Sequence, residues 1–321
     1  MPSPDILTAD AVSKTFPARR RTVLAVDRVS FSLARGHVLG IVGESGSGKS
    51  TLANLLVRAE RPSAGRILFH GKDIAGLNRT GLKAFRRSVQ MIFQDPFASL
   101  DPRFTVARTV AEPLVIHRMG DRAGRRRRVI DALEAAELKP GAAFLDRLPH
   151  QLSGGQRQRV AIARALVVDP EIVIADEPVS MLDVSARAGV LDLLRTLVRE
   201  RGLGMAFVTH DLSLISSICS EVAVVYQGRI VETGPPAALI SSPLHPYTRA
   251  LIAAIPVPDP SAERSEPAIA SGPRQAPTGC AYAPRCPHAA APCDLGPPLL
   301  AVVEAGRAAA CVRLNEIKPV H

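Results

Sequence analysis

An α/β fold built on a parallel sheet is what this 321-residue sequence predicts, and three observations predict it. Val38-Leu-Gly-Ile-Val42, Ile172 to Ala175 and Met205 to Thr209 are near-continuous apolar runs, the mark of strands buried on both faces. Leu52, Leu55, Leu56 and Ala59 follow the first run at helical spacing, and Val190, Leu194, Leu197 and Val198 form a helical stripe between the other two. Strands that alternate with helices in this way build a parallel sheet covered by helices.

The remaining segments attach to that core. Val29-Ser-Phe-Ser-Leu33 alternates with period two and Arg66-Ile-Leu-Phe-His70 ends at Gly71, so the front of the chain reads as short, half-exposed strands of an antiparallel sheet. Between Pro102 and His150 the pattern is helical and rich in Arg, Ala and Leu, as an inserted helical subdomain is. Strands return near Glu221, with Gln227-Gly228 as a hairpin turn before Arg229-Ile-Val-Glu-Thr233. Pro256 to Gly279 is filled with Pro, Ser, Ala and charge and reads as a linker. No internal repeat is visible.

With 46% hydrophobic and 22% charged residues the chain buries a sizeable core and is not disordered. No apolar run is long enough to cross a bilayer, and Met1 to Asp10 lacks the basic and apolar regions of a signal peptide, so a cytosolic location is expected. The net charge of +10 implies attraction to an anionic surface, densest at Arg19 to Arg21 and Arg125 to Arg128. Aromatic residues make up 4% and Trp is absent, which argues against stacking platforms for single-stranded nucleic acid.

Gly43, Glu44, Ser45, Gly46, Ser47, Gly48, Lys49, Ser50 and Thr51 form a G-x-x-x-x-G-K-[ST] loop between a buried strand and a helix. The glycines let backbone N–H groups approach phosphates, and the helix points its positive end at the anion. Lys49 adds a charge on the β- and γ-phosphates of ATP, and the Ser50 hydroxyl completes the shell of Mg²⁺. Asp176 ends an apolar strand and can hold Mg²⁺ through water, while Glu177 can polarise an attacking water as general base. Leu152, Ser153, Gly154, Gly155 and Gln156 precede a helical run from Arg157 to Val168, so Ser153 caps a second anion-binding helix start. One nucleotide and two such helix starts imply a head-to-tail pair of domains, each completing the other's site.

These residues resemble the ATP-binding-cassette (ABC) family, in which Leu152 to Gln156 is the signature motif. The resemblance covers roughly residues 5 to 255 and implies a RecA-like parallel core, an antiparallel β subdomain, a helical subdomain at about 95–155 and ATP hydrolysis. It makes Gln94 the glutamine that senses Mg²⁺ and water, Asp183 a D-loop residue in Ser180-Met-Leu-Asp183 and His210 the switch histidine on the γ-phosphate. Phe16 is similar to the aromatic that stacks on adenine.

Gln94-Asp-Pro-Phe-Ala-Ser-Leu-Asp-Pro102, His245-Pro-Tyr-Thr-Arg-Ala-Leu251 and Gly279-Cys-Ala-Tyr-Ala-Pro-Arg-Cys286 resemble the oligopeptide, dipeptide and nickel importer subfamily, with Ile255-Pro-Val-Pro-Asp-Pro260 leaning toward the second of its two ATPase subunits. By that resemblance residues 256–321 are a C-terminal extension whose Cys280, Cys286, Cys293 and Cys311 match a tail associated with a [4Fe–4S] cluster. Four thiolates suit iron–sulfur or zinc, spacings wider than C-x₂-C weaken zinc, and the cytosol disfavours disulfides. Cys219 reads as a small core residue.

The resemblance implies the ATPase subunit of a bacterial importer at the cytoplasmic face of the cell membrane. Its partners would be a second ATPase, identical or paralogous, two transmembrane permeases and an extracytoplasmic solute-binding protein. The rival is a soluble cassette ATPase acting on nucleic acid or ribosomes, suggested by the charge. Such proteins commonly carry two cassettes or a long coiled-coil insertion, and this chain shows neither.

Overall fold

Residues 4–18, 21–255 and 278–317 are described in a computed structural model. Arg19 and Arg20 of the first basic run, Pro256 to Pro260 of the importer string and most of the predicted linker lie outside the described residues.

Two sheets organise the chain. Strands β1 (Asp5–Ala18) and β2 (Arg21–Ala34) pair antiparallel, and β4 (Ala64–Phe69) and β5 (Lys72–Asp73) extend them in the order β2-β1-β4-β5. The first two strands are 14 residues each, longer than the short strands expected. Register shifts along the pair, with Ala11 and Arg28 at positive φ, interrupt the period-two pattern without ending the pairing. A reader of the sequence therefore sees fragments where the backbone runs on.

The second sheet has the order β11-β12-β10-β9-β3-β8-β7-β6. β3 (Val38–Val42), β6 (Val89–Ile92), β7 (Ile172–Asp176), β8 (Gly204–Thr209) and β9 (Glu221–Tyr226) are its parallel part. β10 (Arg229–Gly234), β11 (Ala301–Glu304) and β12 (Arg307–Ala309) continue it antiparallel. β9 and β10 meet through Gln227 and Gly228, both at positive φ, the turn the sequence predicts. Both faces of the parallel strands are dry: on β7, Ile172 and Ile174 join one apolar cluster while Val173 and Ala175 join another. Alternation is absent from their sequence because both sides are covered.

Helices α1 (Lys49–Leu56) and α2 (Arg79–Ser88) lie between the strands of the first half. The predicted helical insertion is α3 (Pro96–Ser99), α4 (Val106–Ile116) and α5 (Arg122–Ala135), which pack on α6 (Gly154–Leu166) through Val110, Leu114, Leu133 and Ile162. α7 (Val184–Arg201) buries Val190, Leu194, Leu197 and Val198, the stripe read from the sequence. α8 (Ile215–Ile218), α9 (Pro236–Ser241) and α10 (Pro246–Ala253) complete the chain's helices before the extension, among the described residues. No described helix is long and apolar enough to cross a membrane. Cys219 packs among core residues, and burial pushes its thiol up to about 12.

Candidate nucleotide site

The glycine-rich loop joins β3 to α1, as strand and helix patterns require. Gly48 sits at φ 104°, and a Cβ there would come within 2.2 Å of the Ala25 carbonyl oxygen, so the loop closes against β2 only because residue 48 has no side chain. Gly48 is also the N-cap of α1 and no side chain caps that helix, which leaves its first-turn amides without the usual partner. The Ser47 hydroxyl is buried and has no hydrogen-bond partner. Lys49 folds back into the loop, its Nζ donating to the carbonyls of Gly43 at 2.8 Å and Glu44 at 2.9 Å. Burial pulls the Lys49 pKa down, and the carboxylates of Glu177, Asp176 and Glu44 pull the other way. Buried, cationic and held by two neutral carbonyls, Lys49 is poised to exchange them for an anion.

The catalytic candidates converge at the carboxyl ends of β7 and β8. Glu177 sits just beyond β7 at φ 46°, an unusual conformation for a non-glycine residue, pinned by its N–H donating to the Val208 carbonyl at 2.9 Å. Gln94 Nε2 donates to Glu177 Oε2 at 2.9 Å, and His210 Nδ1 lies 3.0 Å from Glu177 Oε1. Two residues far apart in sequence thus hold one carboxylate in a fixed orientation. The Ser50 hydroxyl donates to Asp176 Oδ1 at 3.3 Å. Burial raises the Asp176 pKa, with the Ser50 hydrogen bond and Lys49 opposing and Glu177 reinforcing.

A cleft of about 810 Å³ contains Ser45 to Thr51 (except Ser47), Gln94 and Glu177 in its wall. The sequence reading missed its other wall. Val23 and Leu24 of β2, the Gln227 to Arg229 turn, and Gly279 and Ala281 of the extension also line it. The legible signal was Val23-Leu24, an apolar pair that the strand leaves exposed near the loop. Phe16 is not among the lining residues; it pairs across β1 and β2 with Val23, and Lys14 Nζ stands 4.8 Å over its ring.

The signature residues lie elsewhere. Ser153 caps α6 with a reciprocal box, accepting from the Gln156 N–H at 3.2 Å while Gln156 Oε1 accepts from the Ser153 N–H at 3.1 Å. None of Leu152 to Gln156 lines the cleft. Asp183 caps α7, accepting from the Ala186 N–H at 2.9 Å, and these hydrogen bonds lower its pKa.

Cys280, Cys286, Cys293 and Cys311 gather around one small cavity of about 10 Å³ with His245 and Tyr282. Burial raises the pKa of Cys280, Cys286 and Cys311, and the charges of the other three thiols add to the shift at Cys311. Among the described residues, no group of three or more His, Cys, Asp and Glu is arranged to hold a metal ion. The donor chemistry at the two places differs: a hydroxyl, a carboxylate and an amide oxygen suit a hard cation such as Mg²⁺ at Ser50, Asp176 and Gln94, whereas four sulfurs suit iron–sulfur or zinc.

A family model described as ABC transporter matches residues 26–180, and one described as oligopeptide/dipeptide transporter, C-terminal region, matches residues 231–293. A Brucella ovis protein named as a peptide import ATP-binding protein is 46% identical over 314 residues, 97% of this chain and 98% of its own. The Bacillus subtilis oligopeptide transport ATP-binding protein OppF is 47% identical over 262 residues, 81% of this chain and 85% of its own. Among solved structures, the ATP-binding cassette MJ0796, a dimer bound to ADP and Pi after hydrolysis, superposes with a TM-score of 0.65 at 31% identity, covering 72% of this chain and 99% of that one. CbiO1 of Clostridium perfringens, part of an ABC transporter complex, gives 0.65 at 32% identity, covering 73% and 90%. The chain is an ABC transporter ATPase. Because the likeness runs through the C-terminal region as well, the chain belongs to the ATP-binding proteins of the oligopeptide/dipeptide transporter family.

Proposed function

We propose that this chain hydrolyses ATP to drive uptake of dipeptides or longer peptides through partner permeases. The observation that carries the reading is Glu177, fixed between Gln94 and His210 at the edge of the phosphate loop. ATP lays its phosphates on the loop amides, and Lys49 leaves the Gly43 and Glu44 carbonyls to meet them. Glu177 takes the proton of the attacking water, with His210 and Gln94 keeping its carboxylate in place. Ser50, Asp176 and Gln94 would hold Mg²⁺, which when bound neutralises charge on the β- and γ-phosphate oxygens.

Two further parts of the reading concern partners and the extension. Ser153 to Gln156, capped yet not lining the chain's own cleft, completes the ATP site of a second cassette, and the dimeric structure of the MJ0796 cassette supports this. The chain then sits peripherally on the cytoplasmic side of the membrane, with the segment after Gln94 passing closure to the permeases. A solute-binding protein delivers the cargo; a nickel chelate is the other cargo class the subfamily admits. The four cysteines would hold an iron–sulfur cluster, whose chemistry when bound is to cross-link the extension; that all four line one cavity supports it. Iron and sulfide absent from anaerobically purified protein would remove that part alone.

Reconstitution in vesicles with the neighbouring permeases and binding protein tests the whole. The expected result is ATP-dependent accumulation of a labelled di- or oligopeptide. Accumulation of nickel chelate alone, or ATP turnover unaffected by the permeases, would overturn the peptide reading.

A further inference from the structure

The cysteine extension reaches the phosphate loop through one side chain. Arg285, immediately before Cys286, forks onto Glu44: Nη1 donates to Oε2 and Nη2 to Oε1, both at 3.0 Å. The guanidinium is largely enclosed, lying over the rings of Tyr226 and Tyr282 at 5.8 and 5.7 Å from their centroids. These contacts raise the Arg285 pKa, chiefly through the pair with Glu44, so it stays charged. Glu44 is held from the other side as well, its N–H donating to the Tyr247 hydroxyl at 2.9 Å. Tyr226, Tyr247 and Tyr282 pack on one another with centroids 4.5 to 5.5 Å apart. Gly279 and Ala281, from the same segment as Arg285, form part of the cleft wall.

Glu44 is an odd residue for its place. It lies inside the loop that takes a triphosphate, and its carbonyl is one of the two that hold Lys49. A bare carboxylate there repels the phosphates and attracts Lys49 away from them. The Arg285 fork cancels that charge and fixes the loop backbone.

We propose that Arg285 is a positioning residue of the ATP site, through which the cysteine extension neutralises Glu44 and holds the phosphate loop open to nucleotide. The proposal rests on the nucleotide reading of the cleft. The test is equilibrium binding of a fluorescent ATP analogue with Mg²⁺ to the full chain, alongside the thermal midpoint without nucleotide. Arg285→Gln is expected to weaken binding roughly fivefold, the scale of a partly exposed bidentate pair, and the loss shrinks as salt rises from about 0.05 to about 0.5 M. Arg285→Lys retains most of the affinity. Adding Glu44→Gln to Arg285→Gln restores it, which a purely structural role of Arg285 would not allow. Wild-type affinity in Arg285→Gln, or a double variant as weak as that single one, overturns the proposal. Failure of the wild-type chain to bind the analogue would instead overturn the nucleotide reading beneath it. If Arg285→Gln does not fold, Arg285→Met with and without Glu44→Gln decides: tighter binding with the second change supports the proposal, and equal binding overturns it.

Discussion

The nucleotide cleft and the cysteine extension sit on the same sheet but are held by opposite chemistry. In the cleft, charged groups are poised and incompletely satisfied: Lys49 rests on neutral carbonyls, the Ser47 hydroxyl has no partner, and Asp176 is ionisable against its burial. Where the extension joins the cassette, the buried carboxylate is answered on several sides, although Arg307 Nε has no hydrogen-bond partner. Glu232 of β10 is 0% exposed, and its carboxylate accepts from the N–H groups of Leu244 and His245 at 2.9 and 2.8 Å and from Arg307 of β12 at 3.4 Å. A site that must exchange partners keeps its groups under-satisfied, and a joint that must not open satisfies them locally.

The largest effect is expected at Glu177. Glu177→Gln is expected to lower ATP turnover about 10²–10⁴-fold, the usual weight of a general base, while the analogue still binds. Steady-state hydrolysis and binding measured on the same preparation check it; unaltered turnover would remove Glu177 from the chemistry.

Next comes the joint. Arg307→Met strands a buried carboxylate, and urea unfolding is expected to show a loss of roughly 3–5 kcal/mol. A loss below about 1 kcal/mol would show that apolar packing alone holds the extension.

Lys49→Ala is expected to weaken nucleotide binding about 10–100-fold, the scale of charged hydrogen bonds, with little change in unfolding free energy. Equal losses in both would mean that Lys49 is structural. Smallest is Asp183→Ala, which removes the α7 cap and is expected to lower the unfolding midpoint only slightly by the same assay. If it also lowers turnover far beyond what that shift explains, the residue belongs to the site as well as to the helix.

Local pattern made much of the cleft readable. The phosphate loop, the Asp176-Glu177 pair and the Ser153 cap are contiguous strings whose chemistry follows from neighbours one to six residues away. The buried strands were equally plain, since apolar runs flanked by helical stripes admit few other folds. What stayed hidden is non-local. Nothing near Arg285 announces a partner 241 residues earlier, nor does Glu232 announce Arg307. The docking of β12 on β10 pairs only Glu232 with Ala309 and Thr233 with Ala308, too short a ladder to leave a periodic trace. The length of β1 and β2 was obscured for a related reason, because bulges reset the alternation that a reader relies on.

On the proposed function, residues 43–51, 94, 176–177 and 210 form one ATP site closed by the Ser153 segment of another cassette. The most direct measurement is a structure of the Glu177→Gln chain with its partner cassette, identical or paralogous, and MgATP. The γ-phosphate is expected between Lys49, Gln94 and His210 of one cassette and the signature serine of the other. Nucleotide bound away from Lys49, or a signature helix that touches no phosphate in the closed pair, would contradict it.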